Sequence, residues 1–177
     1  MLYKNLGDKA QEALTLIVYK SIFDCIAKEE DFGPGNWGIL QGKETCLAPF
    51  YDNAETMLQL MMAINDRTFS PEKAIDYALG DFETPFISFR EEIFVAKEGF
   101  ESITNEAIGR FKETYSVERF CFFVKDAIFD VSQYINIGKD VGVFFYTALV
   151  LRYLHVIEGL GMDELLEVAD SIPHIGS

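Results

Sequence analysis

The sequence predicts a mainly α fold with one small β-hairpin, in a single helical domain spanning residues 1–177. Apolar residues recur at helical spacing through most of the chain, while strand-like patterning is confined to one stretch near residues 37–48. A hydrophobic share of 49% with 16 Phe and 8 Tyr is enough to fill a bulky interior, and it excludes wholesale disorder. There is no internal repeat, no low-complexity tract and no linker long enough to divide the chain.

The elements follow in order. Residues 8–28 read as an amphipathic helix whose core face is Ala10, Ala13, Leu14, Ile17, Val18, Ser21, Ile22, Cys25 and Ile26. Asp8 is placed to cap its start, and Asp24 with Lys28 makes an i,i+4 pair. Asp31-Phe32-Gly33-Pro34-Gly35 stops it, because two glycines and a proline cannot continue a helix. Trp37-Gly38-Ile39-Leu40, a turn over Gln41-Gly42-Lys43-Glu44, and Thr45-Cys46-Leu47-Ala48 form the hairpin, which Pro49 ends. Helical patterning then resumes over residues 54–64. The next helix has Ser70 as N-cap and Pro71 at its first position and runs to Gly80. Residues 88–97, 102–113, 117–134, 141–158 and 163–170 complete the set, with Asp163 as the cap of the last.

Charge narrows the function classes. Lys+Arg 15 against Asp+Glu 29 leaves a net charge of -14, spread evenly along the chain. A chain so acidic lacks the cations that displace counterions from phosphate, so direct nucleic-acid binding is not expected, and a basic protein partner is. The longest apolar run, Val141 to Leu151, covers about half a bilayer and is ended by Arg152, so no membrane span is expected. The N-terminal Met1-Leu2-Tyr3-Lys4-Asn5 lacks the charged start and apolar stretch of a secretion signal. Cys25, Cys46 and Cys121 are odd in number and widely spaced, which points to free thiols, a reducing cytoplasm and no cysteine-based zinc site. Two histidines exclude a His-rich metal centre.

The chemistry-bearing stretch surrounds the hairpin. The first helix delivers Asp31 into a Gly-rich loop, Asn36 follows five positions later at the hairpin's mouth, and the return strand leads to Asp52. A hairpin brings its ends together, so Asn36 and Asp52 are expected side by side with Asp31 near them. Two carboxylates and an amide oxygen form a hard, all-oxygen set suited to Mg²⁺. The remaining carboxylate is suited to accept a proton from a hydroxyl nucleophile.

This layout resembles a protein-kinase catalytic loop, and more specifically the C-terminal lobe of HipA-like Ser/Thr kinases. That family carries Asp-Arg-His-x-Gly-Asn followed by Phe/Trp-Gly, a hairpin, and a Leu-Ala-Pro-x-Phe/Tyr-Asp run. Here Asp31 with Gly35-Asn36-Trp37-Gly38 stands at the first part, and Leu47-Ala48-Pro49-Phe50-Tyr51-Asp52-Asn53 at the second. The resemblance covers about residues 10–56 and implies Asp31 as catalytic base, with Asn36 and Asp52 as metal ligands for Mg²⁺. Phe32 and Gly33 stand where the family has Arg-His, and Pro34 stiffens the loop. Only 30 residues precede Asp31, too few for a nucleotide-binding N-lobe, so ATP is expected only if a separate N-lobe is supplied. The implied protein is a split or degenerate kinase lobe, of toxin–antitoxin type, inactive as an isolated chain and acting through protein binding. Its partner would be the missing lobe, an antitoxin or a basic target.

Plainer readings stand beside these. Asp31 is also an ordinary helix-terminating loop residue, Asn36 a turn amide, and Asp52 an N-cap for the helix that follows. Glu29 and Glu30 read as a solvated helix end. Trp37, the Met57, Met61 and Met62 set, and Phe120, Phe122, Phe123, Phe129, Phe144 and Phe145 read as core. His155 reads as a packed or hydrogen-bonded histidine, and His174 as solvated. Outside kinase chemistry the sequence fits a small acidic inhibitor or adaptor, of phage or mobile-element type, that imitates nucleic-acid charge to bind a basic nucleic-acid-handling protein. A plain helical interaction module is the third class.

Overall fold

Helix α1 (Ala10–Ala27) forms where the apolar spacing predicts it, and every residue assigned to its core face is buried. In the computed structural model the described residues are 5–29, 36, 38–49, 76, 79–80, 97–134 and 139–171. They are mainly α-helical, with one two-stranded antiparallel hairpin. The chain gathers into two compact units, Met1–Leu58 with Glu83–Phe111, and Gln59–Phe82 with Lys112–Ser177. The helix expected over 54–64 lies outside the described residues, as does that over 88–97 except for Lys97.

In the first unit α1 is preceded by a 3-10 turn, Gly7–Lys9. Asp8 therefore sits inside that turn, and no side chain caps the helix start. The far end is closed by backbone. Lys28 adopts the left-handed conformation (φ 49°), and the N–H groups of Lys28 and Glu29 both reach the Asp24 carbonyl, the latter at 3.0 Å. The Glu29 bond is the 6→1 contact of a Schellman cap and the Lys28 bond the 5→1 contact of an αL cap, and both motifs usually place glycine where Lys28 stands. Helix α2 (Lys97–Thr114) contributes buried Ala107 and Phe111 to this unit, with Phe111 tilted against Tyr19 of α1 at 5.3 Å between ring centroids. Strands β1 (Ile39–Gln41) and β2 (Thr45–Leu47) pair in the register Ile39↔Leu47, Leu40↔Cys46 and Gln41↔Thr45.

In the second unit, α3 (Val117–Ser132) starts at Ser116, whose hydroxyl accepts the Arg119 N–H. It runs antiparallel to α4 (Lys139–Tyr153). Phe120 stacks on Tyr153 at 4.5 Å, Lys125 lies over the Tyr146 ring at 5.9 Å, and Ile128 faces Gly142, so partner numbers fall as α3 numbers rise. A methyl group on Gly142 would lie 3.3 Å from Ile128, so this glycine sets how closely the two helices approach.

Arg152 closes the apolar run but not the helix, which continues to Glu158 as the expected span of 141–158 requires. Arg152 and Tyr153 are fully buried, and the helix widens into a π-turn, Leu154–Glu158. Gly159 (φ 76°) ends it, its N–H reaching the Leu154 and His155 carbonyls. Val141–Glu158 is long and apolar enough to cross a bilayer by length and composition, and the same stretch supplies much of this unit's core. Leu151 packs with Leu79, Leu165 and Ala169, the last two from α5 (Met162–Ser171). Leu79 is helical and Gly80 is not, in keeping with a helix end at Gly80. Asp163 lies inside the first turn of α5, and the side chain that reaches back is Glu164, accepting the Gly161 N–H at 2.7 Å.

The aromatic assignments divide. Phe120 and Phe144 are buried, but Phe122 (70% exposed), Phe123 (58%) and Phe129 (62%) face solvent. Apolar composition alone placed them in the core. The periodicity of α3 gives the buried stripe to Phe120, Val124 and the partly buried Ile128 instead.

The positive φ at Lys28 costs an L-residue about 1–2 kcal/mol, which a glycine avoids at some expense in unfolded-chain entropy. Lys28→Gly is therefore expected to raise the unfolding free energy by up to about 1 kcal/mol in urea titrations, and Lys28→Val to lower it by about 1 kcal/mol.

Candidate functional site

The hairpin and the end of α1 carry the residues singled out by sequence. Beyond the β1–β2 ladder, the Ala48 N–H donates to the Gly38 carbonyl at 2.8 Å, so the hairpin is closed two residues after Asn36 and four before Asp52. Asn36 is partly exposed and its backbone is of 3-10 type. Asp31 and Asp52 lie outside the described residues, as does Trp37, so the described structure brings no two of the three candidate ligands together. Among the described residues no three His, Cys, Asp or Glu side chains gather as a metal site.

The turn end of the hairpin is anchored. Lys9, ahead of α1, pairs with Glu44 at 2.9 Å across exposed surface. Their hydrogen bond raises the Lys9 pKa and lowers that of Glu44. Lys43 is exposed at the turn tip. Exposed Cys46 on β2, partly buried Cys121 and buried Cys25 are all free thiols.

The end of α1 holds what sequence reading misplaced. Asp24 is fully buried, and its Oδ1 pairs with Lys20, one turn earlier, rather than with Lys28. Its Oδ2 has no hydrogen-bond partner among the described residues. Burial pushes the Asp24 carboxyl up to about 6 and outweighs the opposing Lys20 hydrogen bond and charge, with Glu29 adding a smaller upward push. Glu29 is itself buried at 3% exposure, not solvated as expected. The signal was present: Asp24 stands seven residues after Ile17, on the face that buries Ser21 and Cys25.

Two further polar side chains are built into the second unit. The Arg152 guanidinium donates to the Gly80 carbonyl at 2.9 Å, and the Tyr153 hydroxyl donates to the Tyr115 carbonyl. Burial pushes the Tyr153 phenol up to about 12. His155 Nδ1 lies 2.8 Å from the Leu160 carbonyl and carries the proton that this bond requires, the hydrogen-bonded histidine expected. Lys112 pairs with Glu158 at the end of the π-turn. His174 lies outside the described residues.

Compared with known proteins, the chain matches no family model, no curated protein and no solved structure.

Asp24 generates a pH prediction. Its folded pKa lies above the ordinary carboxylate value, so its contribution is complete below about pH 4 and is lost as pH rises through about 6. The unfolding free energy of the parent minus that of Asp24→Asn is expected to fall by about 2 kcal/mol between pH 4 and pH 7. A flat difference curve from denaturant titrations would mean that the carboxyl is not desolvated in solution.

Proposed function

We propose that the chain is a HipA-like kinase C-terminal lobe that works by holding a protein partner rather than by transferring phosphate alone. The observation that carries the reading is the hairpin closed at Gly38 and Ala48, with Asn36 just before it and Asp52 just after. In this reading Asn36 and Asp52 hold Mg²⁺, whose charge would neutralise phosphate oxygens, and Asp31 accepts a proton from a substrate hydroxyl. Phosphoryl transfer depends on positioning and charge neutralisation shared between two lobes. The cation nearest the hairpin turn, Lys43, is exposed, and Lys9 is paired with Glu44. Neither supplies a phosphate clamp, so nucleotide is held well only when a partner contributes one.

A second reading is favoured by charge. A net charge of -14 suits an acidic inhibitor or adaptor that engages a basic nucleic-acid-handling protein. It needs no Mg²⁺ and no role for Asp31.

Labelled ATP and Mg²⁺ separate the two. The isolated chain is expected to give no phosphoryl transfer to itself or to a generic substrate, and weak Mg²⁺-dependent nucleotide binding that Asn36→Ala and Asp52→Ala abolish without altering the circular dichroism spectrum. Turnover that disappears in Asp31→Ala would make the chain a complete kinase and overturn the binding role. No Mg²⁺-dependent binding, or binding that both ligand variants retain, would remove the kinase likeness and leave the acidic adaptor.

A further inference from the structure

The outward face of α3 carries more exposed aromatic surface than any other described element. Phe122, Phe123 and Phe129 are each more than half exposed, and Tyr134, just past the helix end, is 89% exposed. At 100° per residue, Phe122, Asp126, Phe129 and Gln133 follow at alternating spacings of four and three and so share one seam along the helix, alternately aromatic and polar. Phe123, Asp130 and Tyr134 flank that seam. The opposite face is already committed, since Phe120 stacks on Tyr153 and Ile128 packs at Gly142. An exposed aromatic stripe of this kind on an otherwise charged surface marks an interaction site.

The charges on the face choose its occupant. Both cations of α3 are turned to their own unit: Arg119 donates to the Thr114 carbonyl at 2.9 Å and lies over the Tyr115 ring, and Lys125 lies over Tyr146. The acids Asp126 and Asp130 are exposed, and no ion pair reaches either of them among the described residues. A second copy is disfavoured. Pairing the Phe122 of one chain with the Phe129 of another brings Asp126 against Asp126 at the centre, between chains that each carry a net charge of -14. We propose that the outward face of α3 is a docking surface for a basic amphipathic helix of a partner protein, apolar side chains on Phe122 and Phe129 and Lys or Arg on Asp126 and Asp130. This rests on the protein-binding part of the reading above and not on its Mg²⁺ chemistry. Phe122 and Phe129 stand at i and i+7 on one face of the helix, two turns apart, as apolar anchors of helix-on-helix docking do, and the acids between and beside them fix orientation and speed encounter.

The test uses the full chain with a labelled amphipathic Leu/Lys peptide of about 18 residues, long enough to fold on contact, and a Leu/Glu peptide of the same pattern. Binding is read by fluorescence anisotropy and self-association by sedimentation velocity. The Leu/Lys peptide is expected to bind and the Leu/Glu peptide not. Phe122→Ser/Phe129→Ser should weaken binding at least about tenfold with an unchanged melting temperature. Asp126→Asn/Asp130→Asn should weaken it about threefold and flatten its salt dependence. Asp31→Ala and Asp52→Ala should leave it unchanged, so a loss of the kinase reading would not remove this surface. Equal binding of both peptides, or undiminished binding by the Phe variant, overturns the proposal. A parent dimer that the Phe variant dissociates assigns the face to a second copy. Adsorption to zwitterionic vesicles in place of the peptide assigns it to a membrane. A marked drop in melting temperature in the Phe variant means the rings are covered within the chain. Each of these three outcomes overturns it as well.

Discussion

A guanidinium that water cannot reach must have its N–H donors met by protein acceptors, and the second unit is organised around that requirement at Arg152. Its bond to the Gly80 carbonyl joins positions 72 residues apart in the chain. Leu79, next to that carbonyl, thereby enters the cluster with Leu151, Leu165 and Ala169. The neighbouring Tyr153 secures the other side, its hydroxyl on the Tyr115 carbonyl and its ring on Phe120. Helix α4 is thus held by two directional polar anchors set in adjacent positions, with aliphatic packing around them. Removing one partner of such a buried, charge-assisted bond costs more than the bond contributes when intact, because the other partner is left desolvated.

The first unit meets the same problem with less success. Among the described residues Asp24 has one cationic neighbour, Lys20, and one carboxylate oxygen without a partner. Desolvation prevails there, which is why the carboxyl titrates near neutral pH rather than well below it. Buried Glu29 stands between Asp24 and Asp31 in sequence. The end of α1 therefore holds two buried acids where a solvated helix end would hold none. Tight backbone closure at Lys28 keeps them in place, through two N–H groups on one carbonyl.

Helix α3 shows how a fold can be well packed and still leave aromatic area outside. Its inner stripe meets α4 along its length, and its two cations lie over the rings of Tyr115 and Tyr146. Its outward face carries exposed Phe122, Phe123 and Phe129 beside Asp126 and Asp130. That combination suits recognition by a cationic, apolar partner, because ring surface supplies contact area while the acids discriminate against anionic surfaces.

Local pattern was enough for the described helices and the hairpin. The core face of α1 was legible residue by residue, because burial on one side of a helix imposes a 3.6-residue period that polar residues rarely imitate. The hairpin was legible from Gly42 at its turn and Pro49 at its end, and the start of α3 at Ser116 follows from the side-chain chemistry of caps. The candidate ligands Asp31, Asn36 and Asp52 were legible as residue types at a telling spacing, while their approach in space is a matter of how loops close. Composition misled where a residue's type and its place on the helix disagree. Arg152 stood out as the charge that closes an apolar run and is as fully buried as Leu151 before it; Phe122, Phe123 and Phe129 looked like core and face water; Asp24 was assigned to Lys28 and pairs with Lys20. In each case the neighbour that decides burial is distant in sequence, or sits on one particular face of the helix. Whether a charge is buried depends on a carbonyl such as that of Gly80, and no periodicity along the chain encodes the distance to it.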